Sequence, residues 1–321
     1  MEGIDAGERG SCLAPRDALR KLNCYRESME WTPGGVSGDI EDRRTESGPG
    51  SGGMGIGPQH VGIGGVIILL ILSVVFHQNF FALFSSAPSA DRQGATSDRS
   101  PSDRSPNTAA DEKVQFVSFV LDDVQRTWEN LLSAQTGRPY HHAKLILFRD
   151  GIDSGCGLAQ SASGPFYCPE DEKVYIDLSF FDELRDRFAA PGEFAEAYVI
   201  AHEVGHHVQK ILGIEGKVQQ LRQSNPREAN PLSVRLELQA DCFAGVWGNS
   251  TEQRKIIDQS DVKAGLAAAA AVGDDRLQRM ATGRVMPESF THGSSAQRDH
   301  WFQTGLDSGK ISACDTFNTT P

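Results

Sequence analysis

Ala201-His202-Glu203-Val204-Gly205-His206-His207 sits inside a run whose apolar residues repeat at helical spacing. Phe194, Ala197, Tyr198, Ala201, Gly205, Val208 and Leu212 carry that repeat; Pro191-Gly192-Glu193 opens it and Gly213 stops it. On a helix, positions i and i+4 share a face, so His202 and His206 present two imidazoles to one point. Glu203 lies beside that point, close enough to take a proton from a water held there. This donor set suits Zn²⁺, whose catalytic sites take three protein ligands and keep a fourth position open. So short a pattern also arises by chance, and its plain alternative is a helix with exposed histidines. The remaining sequence has to supply a third ligand.

A polar connection over 219–228 separates this helix from Asn230-Pro231, which predicts a second one, with Asn as cap and Pro at the first helical position. On it lies Leu236-Glu237-Leu238-Gln239-Ala240-Asp241, whose two carboxylates are again i and i+4. Glu237 is the candidate third ligand. Asp241 is the candidate acceptor for the outer ring N–H of a ligand histidine, His202 first of all. The alternative for such a pair is a solvated acidic face. Leu236, Leu238, Ala240, Phe243, Ala244, Val246 and Trp247 surround it, however, so the helix reads as largely buried, and two buried carboxylates need a cationic partner. The longer pattern HExxHxxGxxH does not continue here, because Gln209 stands at its Gly and Leu212 at its last His.

Together these features resemble the gluzincins, with thermolysin and the membrane CAAX-prenyl-protease-like metallopeptidases as relatives in pattern. More closely, residues from about Met29 to Phe317 resemble the bacterial neutral zinc metallopeptidase family. The matching stretches are Glu41-Asp42-Arg43-Arg44, Gly164-Pro165-Phe166-Tyr167-Cys168-Pro169, His202 to His207, Arg235 to Cys242, and Ser289-Phe290-Thr291-His292-Gly293. The resemblance implies an α+β chain: a zincin-like metallopeptidase domain, mostly helical with a small sheet, preceded by a single transmembrane helix. It implies one Zn²⁺ on His202, His206 and Glu237, and hydrolysis of a protein or peptide substrate with Glu203 as general base. It further implies an edge strand beside the metal, at 163–168, on which a peptide pairs by its main chain; an ordinary core hairpin is the alternative. The prenyl-protease-like group has a Thr-His-Pro element with an Arg downstream. Here Thr291-His292 and Arg298 stand at similar positions, with Gly293 replacing the Pro. His292 is then a candidate donor to the oxyanion that forms when water attacks a carbonyl, or else a structural histidine. His141, His142, His207 and His300 have no comparable partner and read as surface or structural. A second reading of the whole keeps the zinc fold without activity, as a membrane-tethered binding or scaffold protein.

The flanking chain sets the context. The protein has 321 residues, a net charge of −12 and 39% hydrophobic residues, with a sequence pI near 5.2. That balance argues against a nucleic-acid partner, whose binding face is basic, and it leaves the oligomeric state open. Residues 1–60, rich in Gly, Ser and charge, read as a disordered tail on the cytoplasmic side. Met29 looks like a natural start, so 1–28 reads as an upstream extension; N-terminal mass spectrometry finding 1–28 intact on the native protein would end that reading. The apolar run over 61–84 has the length of a membrane span and predicts attachment to a lipid bilayer. Residues 85–111, with Ser-Asp-Arg-Ser-Pro repeated, read as a flexible linker. The folded domain is expected over 112–321, on the periplasmic side of a bacterial inner membrane. None of the six cysteines forms a CxxC pair, which disfavours a cysteine zinc site. In an oxidising compartment Cys156 with Cys168 would close a short loop and leave Cys242 for Cys314; otherwise all four are buried thiols.

Overall fold

The computed structural model of the protein describes residues 29–46, 108–161 and 164–318. The expected span at 61–84 lies outside them, as do the first 28 residues and most of the expected linker. Among the described residues no helix is long and apolar enough to cross a membrane.

The chain is mostly helical with a small sheet. Its elements in order are β1 (Ile40–Asp42), α1 (Thr108–Thr136), β2 (Lys144–Phe148), β3 (Gly151–Ser154), β4 (Gly157–Gln160), β5 (Phe166–Cys168) and β6 (Lys173–Asp177). Then come α2 (Ser179–Asp186), α3 (Glu193–Leu212), α4 (Ile214–Ser224), α5 (Ala229–Gln253), α6 (Gln259–Ala271), α7 (Asp274–Thr282) and α8 (Ser295–Ser308), with short 3₁₀ turns between several of them. The main sheet runs β1-β2-β6-β5. β1, β2 and β6 are parallel neighbours, and β5 returns antiparallel along β6 with Tyr167 opposite Val174. β2 and β6 are buried almost throughout, as parallel strands with covered faces should be.

β1 overturns the expectation of a structureless tail over 1–60, and of a domain confined to 112–321. Residues 40–42 pair with 145–147 at the edge of the sheet opposite β5. Upstream of them Met29 is buried, the Glu30 amide donates to the Ile256 carbonyl at 2.7 Å, and Trp31 packs edge-on against Phe116 while its indole N–H donates to Glu193. Two anchor side chains and three paired strand residues suffice, although composition alone hid them among glycines and charges. A strand cannot share a sheet with the domain from the far side of a bilayer, so residues 29–46 are not a cytoplasmic tail to an external domain.

The glycine-rich stretch over 150–157 starts a two-stranded hairpin, β3–β4, entered through Asp150 at φ 64°. The polar connection expected over 219–228 is helical in its first half, where it forms the end of α4, a helix whose one buried side chain is Val218; a single anchor is too faint a period to read. Beyond α5 the chain forms two helices rather than one, because Asp258 caps α6 and the chain turns at Val272-Gly273 before α7.

α3 is the centre of the helical layer and packs on α1, α5 and α6. Gly205 explains how closely α3 meets α5: a Cβ there would stand 3.0 Å from the Ala240 carbonyl oxygen. On the other side of α5 the contact with α8 is backbone to backbone, since a Cβ on Gly245 or Gly305 would fall about 2 Å from a carbonyl of the facing helix. These close approaches draw α3, α5 and α8 together around one point. Two disulfides hold the periphery: Cys156–Cys168 ties the β3–β4 hairpin to β5, and Cys242–Cys314 ties the chain end to α5.

Candidate metal centre

The facing sides of α3 and α5 bring His202, His206 and Glu237 together, with their donor atoms all within 4.8 Å of one another. His202 Nε2 stands 3.2 Å from Glu237 Oε2, and His206 Nε2 stands 3.5 Å from Glu237 Oε1. Ligands 2.0–2.2 Å from a tetrahedral zinc are roughly 3.3–3.6 Å apart, so these separations are those of adjacent corners of such a site. The three residues fit the ion in position and in chemical type.

The outer nitrogens fix which way each ring points. His202 Nδ1 meets Asp241 Oδ1 at 2.8 Å, and His206 Nδ1 meets Gln209 Oε1 at 2.8 Å. With Nδ1–H donated outward, each Nε2 keeps its lone pair for the centre. Asp241 is wholly buried and held from the far side by Arg298, whose Nε and Nη2 donate to its two oxygens at 2.8 Å each. Tyr198 donates its hydroxyl to the same carboxylate at 2.5 Å and receives Arg298 Nη2 at 3.1 Å. Gln209 is anchored through its amide to the Leu236 carbonyl and to Gln239.

The electrostatics follow from these neighbours. Burial resists charge on His202, yet the Asp241 and Glu237 carboxylates outweigh it and raise its pKa to about 10. Burial likewise pushes Glu237 upward, but His206 and His202 dominate and hold it well below the usual carboxylate range. Asp241 is lowered in the same way by Arg298 and His202. The pocket is therefore built to carry positive charge between fixed carboxylates. Glu203 differs. Its carboxyl is raised, because burial outweighs the pull of both histidines, which is the direction that suits a proton acceptor working near neutral pH.

The site opens into a cleft of about 530 Å³ whose walls include Phe166 and Tyr167 of β5, Glu203, Phe180, Glu215 and His292. β5 is one of the two edges of its sheet among the described residues; of the expected strand over 163–168, only 166–168 has that form. His292 lines the cleft but is half exposed. Asp274 accepts the amides of Thr291, His292 and Gly293 at 2.7, 2.7 and 3.1 Å, and meets His292 Nδ1 at 3.1 Å. That bond raises the pKa of His292.

Sequence reasoning missed Gln209, Tyr198 and Asp274. For Gln209 a signal existed: an amide three residues past His206, on the buried face of α3. Asp274 gave none, because its partners are loop amides. A second cluster of three donors, His141, Glu172 and His207, also meets the distance condition. There, however, His207 Nε2 donates to the His141 carbonyl and Nδ1 takes the Tyr167 hydroxyl, which leaves that ring no lone pair to give.

Comparison with known proteins gives the family. Residues 29–317 match the model of a family described as "Putative neutral zinc metallopeptidase". The chain is 47% identical over 293 residues to the "Uncharacterized protein YpfJ" of Escherichia coli K12, covering 90% of this chain and 99% of that protein. It is 45% identical over 208 residues to the "Uncharacterized protein Mb2605" of Mycobacterium bovis, covering 61% of this chain and 68% of that one. No solved structure matches. The family implies zinc and peptidase activity, and a match over nearly the whole described chain decides membership: this protein belongs to the neutral zinc metallopeptidase family.

Proposed function

We propose that this protein is a zinc-dependent endopeptidase with a zincin-like catalytic domain, attached to a bilayer through 61–84 and acting on protein or peptide substrates at the extracytoplasmic face. The single observation that carries the reading is the ring geometry: both Nε2 atoms converge on Glu237 while Asp241 and Gln209 hold both Nδ1 atoms. His202, His206 and Glu237 hold the metal, and Asp241 orients His202. Zinc bound there supplies Lewis acidity and lowers the pKa of water in the site. Glu203 accepts the proton of the attacking water and delivers it to the leaving amine, a role its raised pKa supports. His292, steadied by Asp274, donates to the carbonyl oxygen as negative charge develops on it. β5 offers its free edge to the substrate main chain. The two disulfides support the extracytoplasmic placement, because such bonds persist in oxidising compartments.

The test is Glu203→Gln in the full chain, assayed on casein and a peptide library. Zinc content should stay at one per chain while chelator-sensitive hydrolysis falls about 10³-fold. Unchanged hydrolysis in this variant sinks the assignment, and a wild-type protein that holds zinc but cuts nothing returns the scaffold reading.

A further inference from the structure

The cleft differs in character on the two sides of the metal centre. At one end Phe180, Phe188, Val199, Val272 and Leu277 make an apolar wall. The charges there, Glu183 and Arg187, face each other at 3.4 Å and cancel. At the other end stands Glu215, on the first turn of α4 just past the helix that carries the histidines. Glu215 is half-buried, and among the described residues it has no hydrogen bond or ion pair. Lys210 and His206 act on it only through space, and the Glu170 carboxylate adds negative charge nearby. Partial burial without a partner is an unfavourable place for a carboxylate, and it is relieved when a cation enters the cleft.

β5 ties these ends to a direction. Its upstream end lies by the apolar wall, since a Cβ on Gly164 would meet the Phe180 ring at 3.7 Å. Its downstream end runs on through Pro169 to Glu170, on the Glu215 side. β6 pairs antiparallel on the inner edge of β5. A peptide laid antiparallel on the outer edge runs from the Glu170 end towards the Gly164 end. Its residues before the cut then pass Glu215, and those after it pass Phe180 and Phe188.

We propose that Glu215 is a specificity-determining residue that selects a lysine or arginine on the N-terminal side of the scissile bond, opposite an apolar residue on the C-terminal side. This rests on the peptidase reading above. The chemistry is a single charge pair in a partly desolvated groove, with selectivity coming as much from rejecting acidic residues as from attracting basic ones.

The experiment uses the zinc-loaded full chain and three internally quenched peptide sets. They are identical except for Lys, Gln or Glu at the positions before the cut, with Leu or Phe after it. Wild type should favour Lys over Glu by about tenfold or more in kcat/KM. Glu215→Gln should bring that ratio close to one, and Glu215→Lys should invert it. The ratio is taken within each variant, so partial misfolding does not alter it. An equal Lys-to-Glu ratio in wild type and Glu215→Gln overturns the proposal, as does a preference that follows the charge on the C-terminal side of the cut. No cleavage of any set by wild type is a different failure, that of the peptidase reading itself.

Discussion

Two clusters in this protein place three potential metal donors within the same distance, and they share adjacent residues of one helix. His206 belongs to the first, with His202 and Glu237; His207 belongs to the second, with His141 and Glu172. What separates them is where the ring nitrogens spend their hydrogen bonds. In the first, carboxylate and amide oxygens occupy the outer nitrogens and leave the inner ones turned towards Glu237. In the second, His207 spends both nitrogens on Tyr167 and a backbone carbonyl, and neighbouring aromatic rings pack around it. Proximity of donors is thus shared between a metal centre and a core packing point; available lone pairs are not.

The sharpest way to break this comparison is to exchange the fates of the neighbours. His206→Ala should abolish both zinc retention after dialysis and hydrolysis, whereas His207→Gln should keep one zinc per chain and lose about 2–3 kcal/mol of stability in urea unfolding from its two broken buried bonds. Zinc loss in His207→Gln would erase the distinction. Next comes Asp241→Asn, which leaves Arg298 uncompensated in the core. Chelator competition should read 10–100-fold weaker zinc binding, with about 3–5 kcal/mol of stability lost. Gln209→Ala should weaken zinc binding less, near the lower end of that range, because a neutral acceptor orients His206 where a carboxylate orients His202.

The two clusters also separate in pH dependence. Burial lowers the pKa of His207 to about 4, below the value of about 6.5 expected in the unfolded chain. The neutral ring is the one the fold prefers. Its contribution is therefore whole above pH 6.5 and is lost as pH falls from 6.5 towards 4, in all about 3 kcal/mol. Unfolding curves across that window should flatten in His207→Gln. The smallest effect is expected at His141, whose exposed ring pairs with Glu172: His141→Ala should leave zinc stoichiometry unchanged and move stability by less than about 1 kcal/mol.

How much was legible in the sequence follows the same division. His202, Glu203 and His206 can be read because one helix places them, and Glu237 and Asp241 because spacing and apolar neighbours put both on a buried face of α5. What those residues lean on was harder to see. Arg298 reaches Asp241 only because Gly245 and Gly305 let α5 and α8 touch along their backbones, and no periodicity announces a contact between residues so far apart. Asp274 gathers three consecutive loop amides, a job any turn acid performs. β1 was missed for a thermodynamic reason: a three-residue strand carries almost no pattern of its own and gains its stability from β2.

That small strand has a consequence for how the protein could be released from a membrane. Because β1 and β2 are hydrogen-bonded neighbours, residues 40–42 and 144–148 lie on one side of any bilayer, and the intervening chain can cross it only an even number of times. The attachment proposed at 61–84 would then be fastened at both ends to the same domain. One proteolytic cut, on either flank of the apolar stretch, would leave the domain still held by the other. Shedding would take two cuts, one before residue 61 and one after residue 84, and the freed domain would retain β1 as a separate peptide in its sheet.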